Sequence, residues 1–588
     1  MLLTGASDDA GGRAAGAAAA AAETAAAGPP AAAAGRGPAG SAGTAGSARM
    51  APGGPAVPAS GSRTGQPAAG RRLRTRLALA TALTGGVALA AAFPPVGIWP
   101  LAAAGPALLV VALWQRSLRG SLAVGLVFGL GFFFPLLSWL VNVAWYAWAA
   151  LAIVEAMIFA VLAVAQRLLL RLRAWPVAVA GWWVAAEALR GRWPYAFPWG
   201  RLAMSQAGAP TARWAAIGGA PLLTFVVALA GTCLAWLLLE PPRGRAAAAG
   251  HRAARPGLAF VAAAGLALAG PLLPVDQGVP GGPAATVAAV QGNVPHAHNL
   301  PNLFRAATVT QNHAAATRAL AAQVRAGTRA APDVVIWPEN STDLDPGLNP
   351  AIYGTIQAAV DAINRPVLVG AVLQHPVRNA GQLWLPRRGP VAVYIKRQLV
   401  PFGEYIPFRG LLSHITSLTA LQPVNFTPGH RAVVFRLGKI RLGDVICYEV
   451  GFDGLVSSEV RGGANLLVVQ SNDADFELDG QPGESEQQIA MARIRAIESN
   501  RAVVYASTTG ESAIIAPDGS IIAHSGIWRR AVLDARVPLR SSLTLADRVG
   551  SWPEYVLTVL VLAGLAWAIA GPAGPRTRSR RDAGPASR

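Results

Sequence analysis

The sequence predicts a multi-pass α-helical membrane bundle carrying one large α/β domain on its extracytoplasmic side. Three observations predict it. Hydrophobic residues make up 53% of the chain and charged residues only 14%, a balance that points to membrane spans. Apolar runs of span-like length crowd the first half, and one more stands near the end. Between them lies a polar block, 275–550, in which short β-rich runs alternate with helical stretches.

Residues 1–70 are almost wholly Ala, Gly, Pro, Ser and Thr with scattered Arg. So little bulky apolar surface does not offset the entropy of ordering, and this tail is expected to be disordered. From Arg71 the composition changes. A basic cluster (Arg71, Arg72, Arg74, Arg76) precedes the first apolar run, 77–93. Further runs follow at 98–114, 121–141, 147–166, 174–190, 214–239, 257–273 and 553–571. Crossing about 30 Å of hydrocarbon takes about 20 helical residues. Eight spans are therefore expected, seven within 71–274 and the eighth at 551–573, with a basic cytoplasmic tail at 574–588.

Arginine placement sets the orientation. With the N-terminus inside, the inner segments carry Arg116 and Arg119, then Arg167, Arg171 and Arg173, then Arg243, Arg245, Arg252 and Arg255, then Arg576 to Arg581. The outer segments 94–97 and 142–146 carry none. Seven crossings then put the polar block outside the cytoplasmic face, and the eighth returns the C-terminus to the inside with the N-terminus. The exception is the outer loop 191–213, with Arg192, Arg201, Arg213 and the aromatic Phe197-Pro198-Trp199. Two readings stand for this loop: an interfacial anchor whose arginines meet lipid phosphates, or a headgroup site feeding the polar block. Glu155 and Glu187, within or beside apolar runs, are costly there and are expected to have partners.

The net charge of +20 comes in short bursts beside apolar runs. This pattern suits loops at an anionic leaflet, and no nucleic-acid motif accompanies it. The two cysteines, Cys233 in an apolar run and Cys447 in the polar block, give no disulfide framework. The block's histidines (His296, His298, His313, His375, His414, His430, His524) show no metal-ligand spacing, so neither metal nor cofactor is expected.

Within the block, strands are expected at Ala285–Val290, Val334–Trp337, Val367–Val372, Val391–Ile395, Ala432–Phe435, Val445–Cys447, Leu466–Gln470, Val503–Ser507 and Ser512–Ala516. Helices are expected at 302–326, 350–363 and 482–499. The alternation argues for a layered α/β or α-β-β-α domain. Three chemically apt residues fall at strand ends, where a side chain is fixed yet reachable: Glu339, Lys396 and Cys447. A free thiol has a pKa of about 8.5, so it needs a base to become a nucleophile at neutral pH. A buried carboxyl supplies that base, and an ammonium stabilises both thiolate and oxyanion. Taken singly, each residue has an ordinary structural reading; a lone strand-end cysteine is usually a small buried apolar group.

The flanking residues narrow the choice. Trp337-Pro-Glu339, Tyr394-Ile-Lys396 leading through Pro401-Phe-Gly-Glu404 to Pro407, and Ile446-Cys447-Tyr448-Glu449 together resemble the nitrilase superfamily. More closely, the sequence is similar to its membrane branch, the apolipoprotein N-acyltransferases. Gln291-Gly-Asn293, Ser471-Asn472-Asp473, the stretch Gln488 to Glu498 and Phe197-Pro198-Trp199 extend the likeness, which covers roughly residues 75–570.

The resemblance implies an α-β-β-α nitrilase-like sandwich with Glu339 as base, Lys396 as oxyanion stabiliser and Cys447 as nucleophile. It implies Glu404 as a supporting second glutamate, with Tyr448 and Glu449 shaping the pocket. The implied reaction moves an acyl chain from a membrane phospholipid, through a cysteine thioester, to the amino group of a diacylglyceryl-cysteine on an apolipoprotein. This is the last step of bacterial lipoprotein maturation, carried out by a monomer. The alternative is a membrane-tethered amidase that hydrolyses a small amide with the same triad. Two positions depart from the family pattern: Leu300, where a tryptophan is common, and Asp475, within Asn472-Asp-Ala-Asp475-Phe476-Glu477.

Overall fold

The computed structural model describes residues 68–239, 255–273, 281–295, 302–414, 419–420, 422–477 and 483–570. The expected N-terminal and C-terminal tails, most of the basic loop before Arg255, and Leu300 lie outside these residues. All eight apolar runs are helical: Ala68–Ala90, Leu101–Leu113, Leu118–Leu136, Trp145–Leu169, Trp175–Arg190, Ala215–Leu239, Arg255–Leu268 and Trp552–Ala570. Among the described helices, four are long and apolar enough to cross a membrane: Leu118–Leu136, Trp145–Leu169, the stretch Pro210–Leu239 and Trp552–Ala570. Leu101–Leu113 and Arg255–Leu268 are equally apolar but shorter. The protein is a membrane protein.

Small residues let these helices approach. A Cβ on Gly125 would lie 2.5 Å from the Ala163 Cβ, and one on Gly129 would lie 2.6 Å from the Ala156 Cα. The Gly-x-x-x-Gly face of Leu118–Leu136 thus meets an alanine face of Trp145–Leu169, the contact that apolar helices use where burial from water gives no drive. The helix Ala215–Leu239 breaks at Gly218–Gly219, just before Pro221. Gly219 has a φ of +70°, and a Cβ there would stand 2.8 Å from a Glu498 carboxylate oxygen of the polar block.

The polar block folds into twelve strands and their covering helices. The strands are β1 Ala284–Gln291, β2 Val334–Ile336, β3 Val367–Leu373, β4 Arg378–Leu385, β5 Gly389–Ile395, β6 Val434–Leu437, β7 Ile440–Ile446, β8 Leu466–Ser471, β9 Val503–Ser507, β10 Ala513–Ile515, β11 Ile521–His524 and β12 Ala531–Pro538. They form two six-stranded sheets, ordered β12-β1-β2-β3-β4-β5 and β11-β10-β9-β8-β7-β6. Each sheet has three parallel strands at its heart, β1-β2-β3 and β7-β8-β9, flanked by antiparallel neighbours.

Helices Asn302–Arg325 and Pro350–Ile363 cover the first sheet through a core that includes Trp337, Ile356 and Trp384. The two sheets meet through Val287, Ile336, Leu442, Ile446 and Val504. Helices Asp453–Arg461 and Glu484–Ser499 cover the second sheet, completing the α-β-β-α order. Their apolar cluster runs unbroken into the membrane helices, from Met491 and Ile494 through Tyr448 and Trp199 to Phe132 and Phe159.

Three strands, β4, β11 and β12, and the helix Asp453–Arg461 fall outside the sequence expectation. β4 reads Arg-Asn-Ala-Gly-Gln-Leu-Trp-Leu and β12 ends on a proline, so polar residues and punctuation hide strands that sheet pairing makes.

Candidate active site

The three strand-end residues converge although they come from both sheets. Glu339 follows β2, Lys396 follows β5, and Cys447 follows β7. β7 ends at Ile446, so Cys447 is the first residue of a tight 3-10 turn, Cys447–Gly451, and not the last residue of the strand. Its φ is +52°, the left-handed region that side-chain-bearing residues adopt at a cost of about 1–2 kcal/mol. That twist turns the thiol out of the sheet's alternation, at the C-terminal end of the parallel strands where α/β folds collect reactive groups.

The Lys396 ammonium lies 2.9 Å from Glu339 Oε1 and 3.1 Å from Glu404 Oε1. All three side chains are buried. Asn379, on β4, donates its amide to both carboxylates, at 2.6 Å to Glu339 and 2.9 Å to Glu404. The second oxygen of Glu339 accepts the backbone N–H of Asn472 at 3.0 Å. The second oxygen of Glu404 accepts that of Val400 at 2.7 Å. Each carboxylate is therefore oriented at both ends. On the other side, the Gln488 amide donates to Cys447 Sγ at 3.4 Å and also to the Glu484 carboxyl.

Burial pushes the Cys447 thiol well above its usual range; Glu339 adds to this and Lys396 opposes it. Burial also raises the Glu339 carboxyl, opposed by Lys396 and reinforced by Glu404. For Lys396, burial pulls the pKa down, but Glu339, Glu404 and Cys447 more than offset it and hold the ammonium charged. A free-standing thiolate is disfavoured here. The arrangement suits proton transfer from sulfur to Glu339 in step with nucleophilic attack.

Glu449 does a different job. It accepts the backbone N–H groups of Ile446, Arg397 and Gln398 and the Tyr394 hydroxyl, at 2.7, 2.7, 3.1 and 2.8 Å. It thereby clamps the end of β5, next to Lys396, to the turn that bears Cys447. Burial raises its pKa, and these donors pull it back. Tyr448 points the other way, into the membrane part. Its hydroxyl donates to the Ala196 carbonyl at 2.7 Å, and its ring stacks on Trp199 at 5.5 Å, which stacks on Phe197 at 5.9 Å.

Part of the loop 191–213 finds its partners inside the protein. Phe197 and Trp199 are buried under the α/β domain, and Arg201 pairs with Asp453 and Glu187 rather than with lipid. Glu155 and Glu187 have the expected partners. Glu155 binds Arg190 and Tyr195, both at 2.6 Å, while Glu187 accepts from the Leu202 N–H and the Thr224 hydroxyl, both at 2.8 Å. Asn379, Gln488 and Glu484 went unassigned in the sequence. Only the four-residue spacing of Glu484 and Gln488, which sets them on one helix face, hinted at a pair. Asp475 shows no resolved tie to the triad; its neighbour Phe476 packs edge-on against Trp139 at 5.1 Å. Among the described residues, no group of three or more His, Cys, Asp or Glu is placed to hold a metal ion.

Comparison with known proteins agrees with this geometry over both parts of the chain. Residues 85–233 match the family model of the apolipoprotein N-acyltransferase N-terminal domain, and residues 286–544 match that of carbon-nitrogen hydrolase. An apolipoprotein N-acyltransferase of Mycolicibacterium smegmatis is 38% identical over 90% of this chain and 92% of its own. One from Azotobacter vinelandii is 31% identical over 86% of this chain and 96% of its own. Among solved structures, an amidase from Nesterenkonia sp. is similar over 45% of this chain and 94% of its own, at 16% identity and a TM-score of 0.33. With its membrane helices, its carbon-nitrogen hydrolase domain and relatives matched nearly end to end, the chain belongs to the apolipoprotein N-acyltransferase family.

Proposed function

We propose that this enzyme transfers a fatty acyl chain from a membrane phospholipid to the N-terminal amine of a diacylglyceryl-cysteine on an apolipoprotein, through a thioester on Cys447. The observation that carries the reading is the position of Cys447 between two surroundings. On one side stand Glu339 and Lys396; on the other, through its neighbour Tyr448, the aromatic stack Trp199–Phe197 leads directly into the membrane helices. A soluble amide needs no such connection. An ester buried in a bilayer does.

In the first step Cys447 Sγ attacks the ester carbonyl while Glu339 takes the thiol proton. The Lys396 ammonium stabilises the developing oxyanion. Collapse breaks the ester C–O bond, and the leaving lysophospholipid alkoxide takes the proton back from Glu339. In the second step the lipoprotein amine attacks the thioester carbonyl and gives a proton to Glu339. The C–S bond breaks, and the sulfur recovers that proton, leaving an amide and the free thiol. Glu404 supports Lys396 and Asn379, while Tyr448 and Glu449 hold the nucleophile turn.

The arginine distribution supports eight crossings, with the α/β domain outside and both termini in the cytoplasm. Intact cells expressing a Thr328→Cys variant should be labelled by a membrane-impermeant thiol reagent. The size of the detergent-solubilised protein should match a monomer. Reconstitution with a labelled phospholipid and a diacylated lipopeptide tests the reaction. The expected result is acylated Cys447 with phospholipid alone and acylated peptide once both substrates are present. Lipid-independent hydrolysis of a small amide, with no phospholipid-dependent adduct on Cys447, would instead establish the amidase alternative.

A further inference from the structure

A cavity of about 510 Å³ lies where the α/β domain meets the membrane helices, away from the triad. Its walls come from the end of Trp175–Arg190, the loop after it, the broken helix at Gly219, the helix Asp453–Arg461 and the start of Trp552–Ala570. Glu339, Lys396, Glu404 and Cys447 take no part in it. Phe452, which lines it, packs edge-on against Tyr448 at 5.4 Å, so an aromatic layer separates it from the nucleophile.

Its polar groups are unevenly satisfied. Four carboxylates line the cavity, and each is already occupied. Glu187 accepts from Leu202, Thr224 and, more distantly, Arg201; Asp453 is held by Arg201 and Arg495. Glu498 pairs with Arg495, and Glu554 with Arg192. Unused donors remain. Arg461 makes no hydrogen bond or ion pair among the described residues and presents its guanidinium beside Gly550. The buried Ser457 hydroxyl also lacks a hydrogen-bond partner. Occupied acceptors and spare donors define a site for a ligand rich in acceptors and negative in charge. A hydroxyl and a guanidinium four residues apart on one helix, Ser457 and Arg461, lie side by side and fit a phosphate group.

The mouth of the cavity also has the composition of the headgroup level. Arg192 lies over the ring of Tyr555 at 5.9 Å, and Trp193, Trp552 and Tyr555 are exposed around it. We propose that this cavity binds the phosphate of an anionic phospholipid at a site separate from the acyl-transfer centre, with Arg461 and Ser457 as its donors. The bound lipid would bridge Asp453–Arg461, the helix behind the nucleophile turn, to Trp552–Ala570.

The test uses the full-length Cys447→Ala protein in detergent, so that no acyl transfer consumes the probe and the result does not depend on the proposed reaction. Native mass spectrometry and binding titration follow dioctanoyl phosphatidylglycerol, dioctanoylglycerol and inorganic phosphate in parallel. We expect Arg461→Glu to remove one bound phosphatidylglycerol per chain and to weaken its titration at least tenfold. Ser457→Ala should weaken it severalfold. Arg436→Glu, a reversal of an exposed strand arginine elsewhere, should change nothing, and unaltered melting temperatures would show that the variants fold. Dioctanoylglycerol, which lacks the phosphate, should show no dependence on Arg461. Inorganic phosphate binding as tightly as the lipid would overturn the lipid assignment in favour of free phosphate. Phosphatidylglycerol binding that ignores Arg461→Glu would overturn the site altogether.

Discussion

Arg201 grips both carboxylate oxygens of Asp453, at 2.7 and 2.9 Å, across 252 residues of sequence. Arg201 sits in the loop after the helix Trp175–Arg190, and Asp453 opens the helix that follows the turn bearing Cys447. Arg495, from the next covering helix, takes a share of the same carboxylate at 2.6 Å. One charged knot therefore ties the membrane helices to the structure that aims Cys447.

Arg201→Ala should break the knot and leave Asp453 with a single partner. Losing one partner of a buried pair costs about 3–5 kcal/mol, and thermal unfolding in detergent should show it. Arg201→Lys keeps the charge but not the two-pronged geometry and should fall between. Burial raises the Asp453 pKa, but Arg201 and Arg495 overcome this and hold the carboxyl below its usual range. A depressed folded pKa adds stability above the unfolded value of about 3.9 and loses it as pH falls toward the folded one. The gap between wild type and Arg201→Ala should therefore stay constant from pH 8 to 5 and close only below about pH 4.

Acylation of Cys447 by phospholipid should depend on the ionisation of Glu339. Burial lifts this carboxyl above its usual value, and only its deprotonated form accepts the thiol proton. The single-turnover rate should fall as pH drops, with a midpoint above that of an ordinary glutamate. Glu339→Gln should erase that limb and lower the rate by about 10²–10⁴. A pH profile unchanged by Glu339→Gln would remove the base from the mechanism.

Glu484→Gln should stabilise the protein at alkaline pH. Burial, with Asp473 next, pushes the Glu484 carboxyl well above its usual range. The stability tied to its protonated form is full below the unfolded value of about 4.3 and is lost as pH rises toward the folded one. Glutamine keeps an oxygen for the Gln488 amide and stays neutral. The difference between variant and wild type should be small near pH 4.5 and widen by up to about 1.4 kcal/mol per pH unit above it. Melting temperatures across pH 4.5–8 measure it.

Asp444, on β7, should tolerate asparagine but not alanine. Both its carboxyl oxygens and Gln470 Oε1 are buried without partners, and both residues crowd Gly381 of the facing sheet. A Cβ on Gly381 would lie 2.0 Å from the Asp444 oxygen and 2.8 Å from that of Gln470. Two buried acceptors beside the same glycine need a donor, and burial raises the Asp444 carboxyl well above its usual range, which favours the protonated form that supplies one. Asp444→Asn replaces that donor with an amide and should change stability by less than about 1 kcal/mol. Asp444→Ala strands Gln470 and should cost about 1–3 kcal/mol, as should Gly381→Ala by overpacking. Denaturant midpoints distinguish the three.

Most strands were legible because apolar runs are written locally, whereas the α-β-β-α order followed from the family resemblance of the short motifs. Val367–Leu373, Leu466–Ser471 and Val503–Ser507 are short, valine-containing apolar runs that read as buried strands. β4 was not legible, since Asn379 and Gly381 argue against a strand until neighbours on both sides pair with it. Glu339, Lys396 and Cys447 could be picked out because each stands beside a distinctive short motif. Asn379 stands in no motif of its own, and Gln488 opens a family-like stretch that assigns it no role; their contacts exist only where two sheets and a helix bring them to those groups.

The sequence by itself determined that this is a membrane protein with an α/β domain, and it singled out Glu339, Lys396 and Cys447 as candidates, because hydrophobic runs and local motifs survive without a partner. The tertiary structure alone decided what the loop 191–213 does. Read locally, its arginines and aromatics belong at a lipid surface. In the fold, Arg201 finds Asp453 and Trp199 finds Tyr448, because a charge and a ring gain more from a buried partner than from water or headgroups. A long-range pairing of that kind leaves no trace in spacing along the chain.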